Sequence, residues 1–79
     1  MGHRRRPKRL AEKLLQIRKA LGLSQQEMAE RLGLERRYNI IARYERDESV
    51  PYLEILLTYA RVANVEMEQI IDDDLDLNL

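Results

Sequence analysis

Apolar residues recur along this chain at helical rather than strand spacing. Leu10, Leu14, Ile17 and Leu21 form one stripe at i, i+4, i+7 and i+11. Pro7 suits the first turn of such a helix and Gly22 its end, which predicts a first helix over about residues 7–21. Ser24-Gln25-Gln26-Glu27 has the S-x-x-E order of a capping box, in which hydroxyl and carboxylate each accept the other residue's amide. Met28, Ala29 and Leu32 then face inward and Gly33 closes a second helix, about residues 25–32.

A third helix is expected within Gly33–Glu45. Leu34, Ile41 and Tyr44 hold it down, Arg36, Arg37, Asn39 and Arg43 face solvent, and Asp47 stops it in a left-handed conformation. Ser49-Val50-Pro51 opens a fourth helix with Leu53, Leu56, Leu57 and Ala60 on its buried side and Asn64 at its end. A short fifth helix, about residues 66–72, buries Ile70, with Val65 at its entrance. Short connections between such helices predict a compact all-α bundle. The expected division is a basic arm over 1–9, a folded domain over 10–71 and an acidic tail over 72–79.

Composition adds exclusions. With no Cys and one His, His3, the chain offers no disulfide and no zinc site, and no metal or other cofactor is expected. No apolar run nears the length of a membrane span, so a cytoplasmic location is expected. No carboxylate pair with an evident cleft and no phosphate-cradling glycine loop is present, so catalysis is not expected.

Charge changes the picture more. The formal net charge is zero, yet residues 1–46 hold 13 Lys and Arg against 5 Asp and Glu, while residues 47–79 hold 1 against 9. Such asymmetry points towards nucleic acid, although charged faces are often merely solvated.

The second and third helices together meet the demands of a helix-turn-helix. The fifth residue of the first helix must be small where the helices cross, and it is Ala29; the turn needs a positive φ, which Gly33 supplies. At this point Ser24-Gln25-x-x-x-Ala29-x-x-x-Gly33 resembles the phage-repressor/Cro-type helix-turn-helix family, also called the xenobiotic-response-element (XRE) type. Ile41-x-x-x-Glu45-x-Asp47-x-x-x-Pro51 and Leu56-Leu57-x-x-Ala60-x-x-x-Asn64-Val65 match the same family's spacing. The resemblance covers about residues 10–71 and implies a five-helix repressor-like domain that binds double-stranded DNA, with Ser24, Ala29, Gly33 and Ile41 as framework.

Two departures stand out. Asp47 occupies a position that is usually Gly in the family. Six residues separate Leu34 from Ile41, two more than usual. Two residues inserted inside a helix would rotate everything after them by about 200°. Ile41, Glu45 and Pro51 keep their mutual phase, so the surplus lies ahead of Ile41: either the turn is longer or the third helix starts half a turn early.

The resemblance implies that Gln25 touches a phosphate or a base edge. Tyr38, Asn39 and Arg43 are candidates for base contact, because forked donors and acceptors match the major-groove edges of guanine and adenine. Arg36 and Arg37 are candidates for the backbone, or for guanine if the helix starts early. Arg4, Arg5 and Arg6 in the arm suit the minor groove or the phosphates. Opposing readings are solvated or Glu-paired arginines, a capping Asn39 and a packing Tyr38. Glu45 would repel DNA and is expected to pair with a base of the first helix such as Arg18.

The alternating tail, Asp74-Leu75-Asp76-Leu77-Asn78-Leu79, is open to three readings: a frayed end, a contact with a second subunit or another protein, or an acidic segment folded back on the basic surface to compete with DNA. The leading expectation is a sequence-specific transcriptional regulator, paired with a second copy at least on DNA. The alternative is a protein-interaction module of the same fold, such as the antitoxin half of a toxin–antitoxin pair.

Overall fold

The computed structural model describes residues 7–35 and 37–79. They form α1 (Leu10–Ala20), α2 (Gln25–Arg31), α3 (Tyr38–Glu45), α4 (Leu53–Ala63) and α5 (Met67–Ile71), with no strand among the described residues. α1 is the hub: it packs on α3, α4 and α5, while α2 lies against α3 and α4 against α5. The core gathers Leu10, Leu14 and Ile17 of α1, Met28, Ala29 and Leu32, Ile41 and Tyr44 of α3, Leu56, Tyr59 and Ala60 of α4, and Ile70.

Four helices end in the same way. At the end of α2 the amide of Gly33 donates to Glu30 O (3.1 Å) and that of Leu34 to Ala29 O (2.8 Å), a Schellman closure. Gly22, Asp47 and Asn64 occupy the same left-handed position after α1, α3 and α4, with φ of 70°, 62° and 58°. At Asp47 the amide donates to Tyr44 O (3.2 Å), and that of Glu48 to Arg43 O (2.8 Å), so aspartate serves where the family usually has glycine.

Helix starts depart more from the expected pattern. α1 opens at Leu10, three residues after Pro7, because its N-terminus is capped from the far end of the chain. The Asp73 carboxylate accepts the amides of Lys8 (2.8 Å) and Arg9 (2.9 Å). α4 opens at Leu53, with Pro51 buried ahead of it rather than inside its first turn. Leu53 and Leu57, expected in the core, are 70% and 38% exposed. Leu53 stands in the first turn beyond the edge of the core. Leu57 falls on the flank, and the fully buried Tyr59 fills the i+3 place that follows Leu56.

Residues after α5 form a strap across the start of α1. Lys13, fully buried, donates from Nζ to the carbonyls of Gln69 (2.7 Å), Asp72 (2.7 Å) and Leu75 (2.6 Å). It places a cation at the carbonyl end of α5, where the unpaired backbone acceptors need one. The Arg9 guanidinium reaches the Asp76 carboxylate (2.7 Å) and the Asp73 carbonyl (3.0 Å), and Leu77 packs partly buried against the core. Residues 72–77 are therefore docked, not frayed.

Candidate nucleic-acid interface

α2 starts as its sequence dictates. Ser24 Oγ accepts the Glu27 amide (3.0 Å) and Glu27 Oε1 accepts the Ser24 amide (2.8 Å). Those contacts hold the Glu27 carboxyl below its usual range. Ala29 is fully buried where α2 meets α3.

The turn takes up the two surplus residues. After Gly33 (φ 77°), Glu35 is also left-handed (φ 48°). The Arg37 amide donates back to Leu34 O (2.9 Å), and α3 opens only at Tyr38. Of the two options left by the sequence, the turn is lengthened and the helix does not start early. Arg36 lies outside the described residues, as do Arg4, Arg5 and Arg6.

α3 is locked from behind by Ile41, fully buried, and Tyr44, with Leu34 and Ile40 partly buried against the core. Its outer side carries Arg37, Tyr38, Asn39 and Arg43, all exposed. The structure sorts these four into two places. Arg37, Asn39 and Arg43, with Ile40, line one shallow hollow. Asn39 and Arg43 stand one helical turn apart. Tyr38 instead borders a hollow shared with Gln26, Glu30 and Glu35, between α2 and the turn, where its neighbours are acidic.

Charge on α3 is arranged by a partly buried ion pair. Arg18 of α1 donates from Nε to Glu45 Oε2 (2.7 Å) and from Nη2 to Oε1 (3.0 Å), and its Nη1 donates to Leu23 O (3.0 Å). Only 15% of the Arg18 side chain and 6% of the Glu45 side chain is exposed. The Glu45 hydrogen bond raises the guanidinium pKa further. Gln25 Nε2 donates to Glu45 Oε1 (3.0 Å), so one amide hydrogen of Gln25 is committed to the pair. The one carboxylate of α3 is thus turned inward and neutralised. Arg46, just past the helix, is taken by Glu48 (2.9 Å). Arg37 and Arg43 have no ion pair among the described residues.

Three residues matter that sequence reasoning passed over. Lys13 and Asp73 fasten the strap, and their partners lie more than fifty residues away along the chain. Tyr59 sits in the core near Glu45, Tyr44 and Arg18. Its hydroxyl is buried without a hydrogen-bond partner among the described residues, and burial first, then Glu45, raises its pKa. The one available signal was the i+3 spacing of Leu56 and Tyr59; Lys13, beside an apolar stripe, reads as an ordinary flank lysine.

No curated protein sequence matches the chain. The P22 c2 repressor in complex with a synthetic operator superposes with a TM-score of 0.72 at 23% identity, over 82% of this chain and 96% of that one. The solution structure of the DNA-binding domain of the P22 c2 repressor gives 0.74 at 22% identity, over 91% and 92%. The restriction-modification controller protein C.AhdI from Aeromonas hydrophila gives 0.69 at 25% identity, over 80% and 92%. The sequence family described as Helix-turn-helix matches residues 14–70, which run from Leu14 of α1 through the turn to Ile70 of α5. The chain belongs to the helix-turn-helix family, in its repressor-like XRE form.

Proposed function

We propose that this chain binds double-stranded DNA sequence-specifically as a transcriptional regulator, with α3 lying in the major groove. One observation carries the reading: α3 is held by Ile41 and Tyr44 so that Arg37, Asn39 and Arg43 share one exposed hollow, while its carboxylate is drawn inward by Arg18. Arg43 is assigned to guanine and Asn39 to adenine, since each presents a fork that fits that base. Arg37, at the leading end, and Arg36 are assigned to phosphates. Gln25 is assigned a phosphate through the part of its amide not held by Glu45. Tyr38 is the weaker base reader, standing among Gln26, Glu30 and Glu35. The arm residues Arg4, Arg5 and Arg6 add phosphate or minor-groove contacts. Two copies side by side read half-sites about 34 Å apart. No catalysis is assigned, and the site of action is the cytoplasm.

Similar proteins support the reading: one is a repressor in complex with a synthetic operator and another a restriction-modification controller protein. The experiment is selection from a random duplex pool followed by anisotropy across salt. Log affinity should fall with log salt at about −0.9 per phosphate contacted. Arg43→Ala should lower the preference for the selected site by roughly tenfold to a hundredfold while leaving binding to random duplex nearly unchanged.

The protein-interaction alternative has one observation of its own. Val50, Tyr52 and Leu53 are exposed together at the start of α4. Absence of duplex binding even at low salt would transfer the assignment to that patch.

A further inference from the structure

The strap creates a surface that DNA reading by α3 does not use. A groove opens beside Pro7, where the described chain begins. Pro7 and Ile71 supply its apolar lining, Glu68, Asp72, Asp73 and Asp74 its negative charge, and Lys8 is the one cation in the lining. Asp73 is committed to the amides of Lys8 and Arg9, and Asp72 accepts the Asp74 amide (2.9 Å). The side chains of Glu68 and Asp74 make no hydrogen bond or ion pair among the described residues.

We propose that this groove seats the chain's own basic arm, Arg4–Arg6, when no nucleic acid is bound, so that the acidic strap withholds the arm from phosphate. The consequence for DNA rests on the function proposed above; the seating does not. Three observations converge. Arg6 is bonded directly to Pro7, which lines the groove, and three extended residues reach about 10 Å. The arm is cationic at every one of those three positions, and the groove presents two carboxylates, Glu68 and Asp74, without a partner among the described residues. The strap also already holds the next cation of the same segment: the Arg9 guanidinium binds Asp76 at 2.7 Å and the Asp73 carbonyl at 3.0 Å.

The lining suits arginine for a second reason. Ile71, 39% exposed, and Pro7 offer apolar surface to the aliphatic stems, while the guanidiniums reach the carboxylates. Exposed pairs of this kind are individually weak and screened by salt. A duplex, with its far denser line of charge, displaces them. The seat is therefore a reversible competitor and not a lock.

The chain has no Cys, so Gly2→Cys accepts a single nitroxide label. Paramagnetic broadening of the amides of Glu68, Ile71 and Asp74 is expected at low salt, and its loss is expected in the Glu68→Gln/Asp74→Asn variant. Broadening centred on α3, or broadening indifferent to that variant, overturns the seating. Affinity for random duplex gives the second measurement. Glu68→Gln/Asp74→Asn should raise it roughly threefold to tenfold in the full chain. The same change should do nothing once Arg4, Arg5 and Arg6 are all replaced by Ala. An equal gain in both backgrounds would mean a general field effect and overturns the competition. If no variant binds DNA at all, the functional reading falls and the label alone decides the seating.

Discussion

Glu45 carries three hydrogen bonds in a space where only 6% of its side chain meets water. Removing it strands the Arg18 guanidinium, which keeps only the Leu23 carbonyl. A partly buried charge left without its partner costs far more than the pair itself contributes. Glu45→Ala should therefore lower unfolding free energy by about 3 kcal/mol in urea titrations, whereas Arg46→Ala, whose partner Glu48 is exposed, should lie within about 0.5 kcal/mol of the parent. A loss at Glu45 no larger than at Arg46 would contradict the inward-facing role. Tyr59 shows the opposite case. Its hydroxyl is desolvated without a partner among the described residues, so Tyr59→Phe should be neutral or stabilising by up to about 1 kcal/mol, read by the same titration. The sequence suggested the Arg18–Glu45 pairing, because a carboxylate on a helix expected to face DNA calls for a cation. It could not disclose the Tyr59 or Lys13 environments, which depend on which distant backbone groups arrive beside them.

Elements obeyed local rules most closely where a helix ends. Gly22, Gly33, Asp47 and Asn64 all close helices with positive φ, and each was readable from residue type alone. Starts were less legible, since α1 borrows its cap from Asp73 and α4 begins two residues after Pro51. The lengthened turn belongs to this scale too. Phase between Ile41 and Glu45 restricted the surplus to the segment before Ile41, but only the folded chain chooses the turn over an early helix. That choice places Glu35 in a left-handed conformation at φ 48°, which costs a side-chain-bearing residue roughly 1 kcal/mol. Glu35→Gly should consequently be neutral or stabilising by up to about 1 kcal/mol in thermal or urea melts, and Glu35→Val destabilising by more than about 1 kcal/mol. Equal stabilities for the two variants would mean that the turn relaxes out of this conformation. The turn also decides the candidate interface, because it hands Arg37 to the hollow of Asn39 and Arg43 and sends Tyr38 towards Glu30.

Along the whole molecule, the basic first half and acidic second half look like opposite poles, but folding joins them at the strap. Arg9 meets Asp76, and Asp73 holds the amides ahead of α1, so the root of the arm is neutralised while Arg37 and Arg43 make no ion pair among the described residues. Sequence alone gave the charges and not this closure. The closure has a pH signature. Hydrogen bonds from the Arg9 and Lys8 amides hold the Asp73 carboxyl below its ordinary range. A group whose folded pKa is depressed stabilises the fold fully above its unfolded value, about 3.9 for Asp, and loses that contribution as pH falls through the lower folded value. Melting temperature should thus be insensitive to this group between neutrality and about pH 5, then decline below about pH 4. Asp73→Asn should flatten that acid decline without abolishing it, because Glu27, whose carboxyl is also held low by Ser24, titrates in the same window. Circular-dichroism melts of both proteins across the acid range make the comparison, and acid declines of identical steepness would show that the strap's cap on α1 does not form in solution.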